Sequence, residues 1–126
     1  MFWILLQLFF QLPEWQTHAS EAPGSIVEWK TEKDHDFGKM KRDHPQTFVF
    51  KFVNTLNEPF FIENVRTTCG CTAATWTEGM INGGQSGEIT IEYDAYQRGS
   101  FQKKIRVFFN KQRKPEILWI RGVVAD

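Results

Sequence analysis

The sequence predicts an all-β fold, a two-sheet antiparallel sandwich of about seven strands. Three observations carry that expectation. Apolar and polar residues alternate with period two in "TFVFKFVN", "EITIEYD" and "SFQKKIRVFF", and no helical period of comparable length occurs. Turn residues interrupt these runs at short intervals. Twelve Phe and five Trp supply bulky filling for an interior between two sheets. With 126 residues, the chain has enough material for one such core and too little for two.

Each element has its own reason. "IVEWK" (Ile26 to Lys30) reads as the first strand, and the charged "TEKDHD" with Phe37 and Gly38, running on to Pro45, reads as loop with at most a short strand. In "TFVFKFVN", Phe48, Phe50 and Phe52 fall on one face and Val49, Lys51 and Val53 on the other, which marks a core strand. "NTLNEP" is a turn cluster. Pro59 cannot donate to a ladder, so the next strand is expected from Phe60 and leads into Cys69, Gly70 and Cys71. "GMINGGQSG" is a loop. Beyond it Ile89, Ile91 and Tyr93 point inward against Glu88, Thr90 and Glu92. "AYQRG" turns the chain into a strand that places Phe101, Ile105, Val107 and Phe109 on one face. The turn "NKQRKP" then leads to "EILWIRGVV", where Leu118 and Ile120 alternate against Ile117, Trp119 and Arg121.

Residues 1–19 differ from all that follows. The run from Phe2 to Leu12 is apolar, too short for the roughly 20 residues of a spanning helix, and ends at Pro13 before a small residue, Ala19. It is expected to be a cleaved export signal, although no Lys or Arg precedes it. Residues 20–25 are then a linker and 26–126 the domain, with no stable membrane span after signal removal. Loss of residues 1–19 removes Glu14 alone from a chain of 15 basic and 15 acidic residues. No net field remains to hold nucleic acid, so that partner is excluded.

The blocks "HDFGKM", "FVFKFVNTLNEPFFIENVRTTCGCT", "AATW", "GGQSGEITIEYD", "RGSFQKKIRVFFN" and "LWIRGVV" together resemble the DUF1573 family of bacterial proteins, over about Ile26 to Val124. The resemblance implies an immunoglobulin-like sandwich related to abnormal-spindle, hydin and major sperm protein domains, export to the periplasm or cell surface, and no established biochemical activity. The family's motif positions fall on Asp36, Phe37 and Gly38, on Phe50, Phe52 and Asn54, on Cys69, Gly70, Cys71 and Thr72, on Trp76, and on Tyr93 and Asp94. Leu56 stands where the family has Gly, so a hairpin turn is expected around Asn57 instead. The family's Pro-Gly is Gly83-Gly84 here. Its members often carry a lipid-attachment cysteine at the export signal; here no cysteine precedes Cys69, which favours soluble export.

Cys69 and Cys71 admit four readings. A structural zinc site needs four ligands, and the only histidines are His18, His35 and His44, the last two in a charged segment where solvation is the ordinary state. A redox couple ordinarily uses Cys-x-x-Cys at a helix N-terminus, and no helix is expected here. A disulfide across one residue is tight, because two extended residues span roughly 6.6 Å between Cα atoms. The preferred reading is structural: two compact side chains enter the sandwich, and Gly70 supplies a backbone angle closed to other residues, at a bulge or sheet crossing.

Other constellations dissolve faster. "GGQSGE" lacks the Lys-Ser/Thr of a phosphate loop. Asp34, His35 and Asp36 have no nucleophile in a recognisable elbow. Lys103, Lys104, Arg106, Lys111, Arg113 and Lys114 form a modest basic strip suited to steering an acidic partner or to guarding strand edges. Trp76 suits a binding surface or, as the preferred reading, core packing near the cysteines. The expectation is therefore a non-enzymatic exported module without cofactor that binds a protein or glycan; the alternative is a thiol-dependent metal-binding or redox protein centred on Cys69 and Cys71.

Overall fold

The computed structural model describes residues 24–126. The expected export signal and residues 20–23 of the expected linker lie outside the described residues. Eight strands follow in order: β1 (Val27–Trp29), β2 (Asp34–Lys41), β3 (Gln46–Asn54), β4 (Ile62–Thr67), β5 (Thr72–Trp76), β6 (Ser86–Tyr93), β7 (Gly99–Phe109) and β8 (Glu116–Ala125). They form two four-stranded sheets, ordered β1-β3-β6-β5 and β2-β8-β7-β4. No helix among the described residues is long and apolar enough to cross a membrane.

The sandwich is as expected, with an eighth strand and one parallel pair that the alternation does not reveal. The charged segment expected to be loop is β2, running parallel to β8 with Asp34 opposite Trp119 and Lys39 opposite Val123. Its pattern is hidden by a bulge. Gly38 takes φ +72° and shifts the register between Asp36 and Lys39. Half-buried His35 and Phe37 therefore share the inward side with Met40, breaking the period of two. His35 is not simply solvated: its ring stacks on Phe48 at 3.7 Å between centroids, and Nδ1 lies 2.9 Å from Glu32 Oε2. That hydrogen bond holds the Glu32 carboxyl below its ordinary pKa.

Alternation in the other long strands is confirmed. Phe50 and Phe52 are fully buried on β3, as are Ile89 and Ile91 on β6, Ile105 and Val107 on β7, and Leu118 and Ile120 on β8. At one end of the core the rings of Phe52 and Phe109 meet edge to face at 5.4 Å, Phe60 and Phe109 at 5.0 Å, and Trp29 and Phe52 at 5.4 Å. Gly87 lies opposite Phe52 in the register. A Cβ there would run into the Phe52 ring and lie 2.9 Å from Ile81 Cδ1. Ring packing thus dictates glycine near the start of β6, and Ala would overpack it by about 1–3 kcal/mol.

The segment after β3 differs from its expected form. β3 and β4 lie in different sheets, so Asn54 to Pro59 is a crossing rather than a hairpin around Asn57. Phe60 does not begin a strand. It forms an isolated antiparallel bridge with Ile81, and β4 begins at Ile62. The turn between β7 and β8 is a true hairpin, as expected.

Candidate functional site

The Cys-Gly-Cys stretch carries the chain from β4, an edge of one sheet, to β5, an edge of the other. The two sulfurs are bonded to each other, and the Cα atoms stand 5.3 Å apart, within bridging range because the chain bends here instead of extending. Both cysteines are half-buried at the rim, and only Cys71 packs against the core. Two sequence expectations need correction. The sulfurs do not fill the interior. Gly70 is exposed, has no positive φ, and a Cβ on it would meet nothing within 4 Å. The bend is held by neighbouring threonines instead. Buried Thr72 donates its amide to the Cys69 carbonyl at 3.4 Å, and Thr67 Oγ1 lies 3.4 Å from the carbonyls of both Cys69 and Thr72.

The same bend exposes β5. Asp94 donates its amide to the Cys71 carbonyl and Thr77 donates to Glu88, so in this antiparallel register residues 71, 73, 75 and 77 bond to β6. Thr72, Ala74 and Trp76 direct their amides and carbonyls the other way. Those of Thr72 are taken by the crossing. Among the described residues nothing hydrogen-bonds the outward groups of Ala74 and Trp76.

The four edges of the sandwich differ in their protection. β1 has three residues; β2 carries charges and a bulge; β4 carries Glu63, Arg66 and a register shift. β5, "TAATW", has no charge, no Pro and no bulge. Trp76 is half-buried and packs against the core.

Three of the remaining motif residues, Asn54, Asp36 and Asp94, organise turns. Asn54, 1% exposed, donates Nδ2 to the carbonyls of Glu58 at 3.0 Å and Ile81 at 2.9 Å, while its Oδ1 accepts from the Leu56 amide at 2.7 Å. Asp36 Oδ1 accepts from the Gly38 amide, and Asp94 Oδ1 from the Tyr96 amide. Phe37 packs against the core, and Tyr93 stacks on Phe101 at 3.8 Å. Burial raises the Tyr93 phenol above its ordinary pKa, with the neighbouring Asp94 charge adding to the shift. The motif residues are thus spread over the sandwich rather than gathered at one place.

One polar cluster was missed by sequence reasoning. Glu116, 9% exposed, accepts from Trp29 Nε1 at 3.0 Å on Oε1 and from Ser25 Oγ at 3.1 Å and Gln112 Nε2 at 2.9 Å on Oε2. Gln112 Oε1 accepts in turn from the Ile26 amide. The cluster latches β1, in one sheet, to the β7–β8 hairpin of the other, and floors an open groove of about 1250 Å³ walled by Lys33, Arg113 and Lys114. The one available signal was Glu116 on the inward face of a strand that otherwise buries Leu118 and Ile120.

Among the described residues no three His, Cys, Asp or Glu side chains converge as a metal-binding group. The basic strip is divided. Lys111 pairs with Glu58 at 3.1 Å and Arg113 and Lys114 sit at the hairpin, whereas Lys104 and Arg106 lie on the outer face of β7.

No curated protein matches the chain. Among solved structures it is similar to a protein of unknown function from Porphyromonas gingivalis W83, with 17% identity and a TM-score of 0.65 over 78% of this chain and 46% of that one. It is also similar to PapD-like domain 7 of human CEP192, with 9% identity and a TM-score of 0.70 over 91% and 96% of the two chains. A third likeness is to the VesB protease of Vibrio cholerae, with 10% identity and a TM-score of 0.64 over 78% and 32%. This chain thus spans less than half the length of the Porphyromonas and Vibrio proteins, and at these identities the likeness is one of fold. The family described as protein of unknown function, DUF1573, matches residues 27–124, and the chain belongs to that family.

Proposed function

We propose that this chain is a non-enzymatic binding module, exported to the periplasm or cell surface, that takes an extended segment of another protein onto the edge of β5. The observation that carries the reading is the open edge. Among the described residues the outward backbone groups of Ala74 and Trp76 are unpaired, on an uncharged strand without bulge or proline, while the other three edges are short, charged or bulged. A partner strand would gain main-chain hydrogen bonds there. Export is supported by the apolar run from Phe2 to Leu12 and by the close cysteine pair, which suits an oxidising compartment.

A photo-crosslinking residue at position 75, in protein produced with its N-terminal segment in a bacterial host, tests the binding mode. A protein adduct that disappears on Ala74→Pro supports it, because proline there removes an outward donor and leaves the β6 ladder intact. An adduct indifferent to Ala74→Pro, or none, overturns it. A mature N-terminus at Ser20 supports export, and retention of residues 1–19 argues against it.

The bonded sulfurs keep a second reading in view, a redox protein that opens and closes this pair, or a metal-binding one after its reduction to thiolates. In the chain-entropy view a three-residue loop contributes only about 1.6 kcal/mol, so a merely structural pair predicts that Cys69→Ser/Cys71→Ser lowers stability by no more than about that amount. Loss of bound metal or of a reductant-sensitive activity in a folded double variant would favour the thiol reading.

A further inference from the structure

The outer face of the β2-β8-β7-β4 sheet carries a charge arrangement that folding does not explain. Arg66 on β4 and Arg106 on β7 are direct register partners, and Lys104 lies two residues along the same face of β7. Like charges placed directly opposite on neighbouring strands destabilise a sheet. None of the three has an ion-pair partner among the described residues. Elsewhere on this face the cation is neutralised: Arg121 is held by Asp34 at 2.9 Å and Asp36 at 3.2 Å. The chain as a whole is balanced, with 15 basic and 15 acidic residues, so the cluster is a local feature and not spill-over from a basic protein.

Two of the three cations are held against aromatic rings. The Arg66 guanidinium lies 5.6 Å from the Phe108 ring centre, and Lys104 Nζ lies 5.4 Å from that of Trp119. Ring contact restrains these long side chains on the sheet and reduces the entropy that anion binding would otherwise cost. It also selects the partner. Sugars and nucleobases recognised by stacking need open ring faces, and here cations cover Phe108 and Trp119. What remains is a row of charged donors, Arg66 exposed and Lys104 and Arg106 half-buried, two of them guanidinium forks that match carboxylates in a bidentate geometry.

We propose that Arg66, Arg106 and Lys104 form a docking face for a carboxylate-rich polypeptide segment. Such a partner would relieve the repulsion between the two arginines while making charge-assisted hydrogen bonds to both. The face belongs to the sheet opposite that of β5, and the proposal does not depend on strand addition at that edge.

Fluorescence anisotropy of a labelled oligoglutamate peptide with the intact protein tests this. Binding is expected, weakening as salt rises. It should fall about tenfold or more in Arg66→Gln/Arg106→Gln and remain unchanged in Arg113→Gln/Lys114→Gln, which removes the same charge from the hairpin. In the wild-type protein, NMR titration should shift the amides of Arg66, Lys104 and Arg106 ahead of those of the hairpin, a readout that needs no variant to fold. The proposal is overturned if oligoglutamate does not bind, if both double variants weaken it equally, if the shifts centre on the hairpin, or if polygalacturonate binds while oligoglutamate does not.

Discussion

Asn54 donates its side-chain amide to the carbonyl of Ile81, 27 residues further along the chain, at 2.9 Å and out of contact with water. With its bonds to Glu58 and Leu56 this ties the crossing after β3 to the bridge that precedes β6. One side chain thus bonds three backbone groups, and at Ile81 it shares the carbonyl with the amide of Phe60.

Asn54→Ala should therefore cost about 2 kcal/mol, since it removes three hydrogen bonds made by a side chain that is 1% exposed. Asn54→Asp should be no better, because it keeps the acceptor for Leu56 but removes both donors and adds a buried charge. Urea unfolding of the two variants checks this; a loss below about 0.5 kcal/mol in both would show that the crossing holds itself together.

Glu116→Ala should lower stability by about 2 kcal/mol, leaving Trp29 Nε1 without its acceptor and Ser25 Oγ and Gln112 Nε2 with only the carbonyls of Val27 and Lys114. Glu116→Gln should cost about 1 kcal/mol, because its amide nitrogen must face one of these donors. The emission of Trp29 reports the event locally, provided the other four tryptophans are replaced in a parent protein of known stability.

Tyr93 sets a pH dependence with a defined sign. Its phenol titrates higher in the folded protein than its ordinary value of 10.0, so below pH 10 both states keep the proton and its contribution to stability is fully present. As pH rises beyond 10 the unfolded chain ionises first, and that contribution is lost through the folded pKa. Urea midpoints measured from pH 8 upward should fall more steeply for the wild type than for Tyr93→Phe once pH 10 is passed. Parallel curves would mean that Tyr93 ionises as readily in the folded protein as in the unfolded chain.

How much could be read from the chain varies by element. On β6, β7 and β8 one face is buried along most of its length, so alternation alone assigned inward and outward residues, down to Ile105, Val107 and Phe109. On β2 the Gly38 bulge moves the inward side from Phe37 to Met40, and the strand reads as a charged loop. The resemblance picked out Asn54, Asp36 and Asp94, but their work as turn caps depends on backbone groups that only the folded chain places. Gly70 looked conformationally special because it separates two cysteines; its backbone angle turned out to be one that any residue can adopt.

The sequence by itself determined the class of fold, the faces of the long strands and the family, because period-two burial and turn chemistry are local properties. The tertiary structure decided everything that joins distant residues. It placed β2 parallel to β8, left β5 as the unguarded edge, set Trp29 against Glu116, and put Arg66 opposite Arg106. Strand order and register are settled by the packing of two complete sheets against each other, and no local window of the chain contains that information.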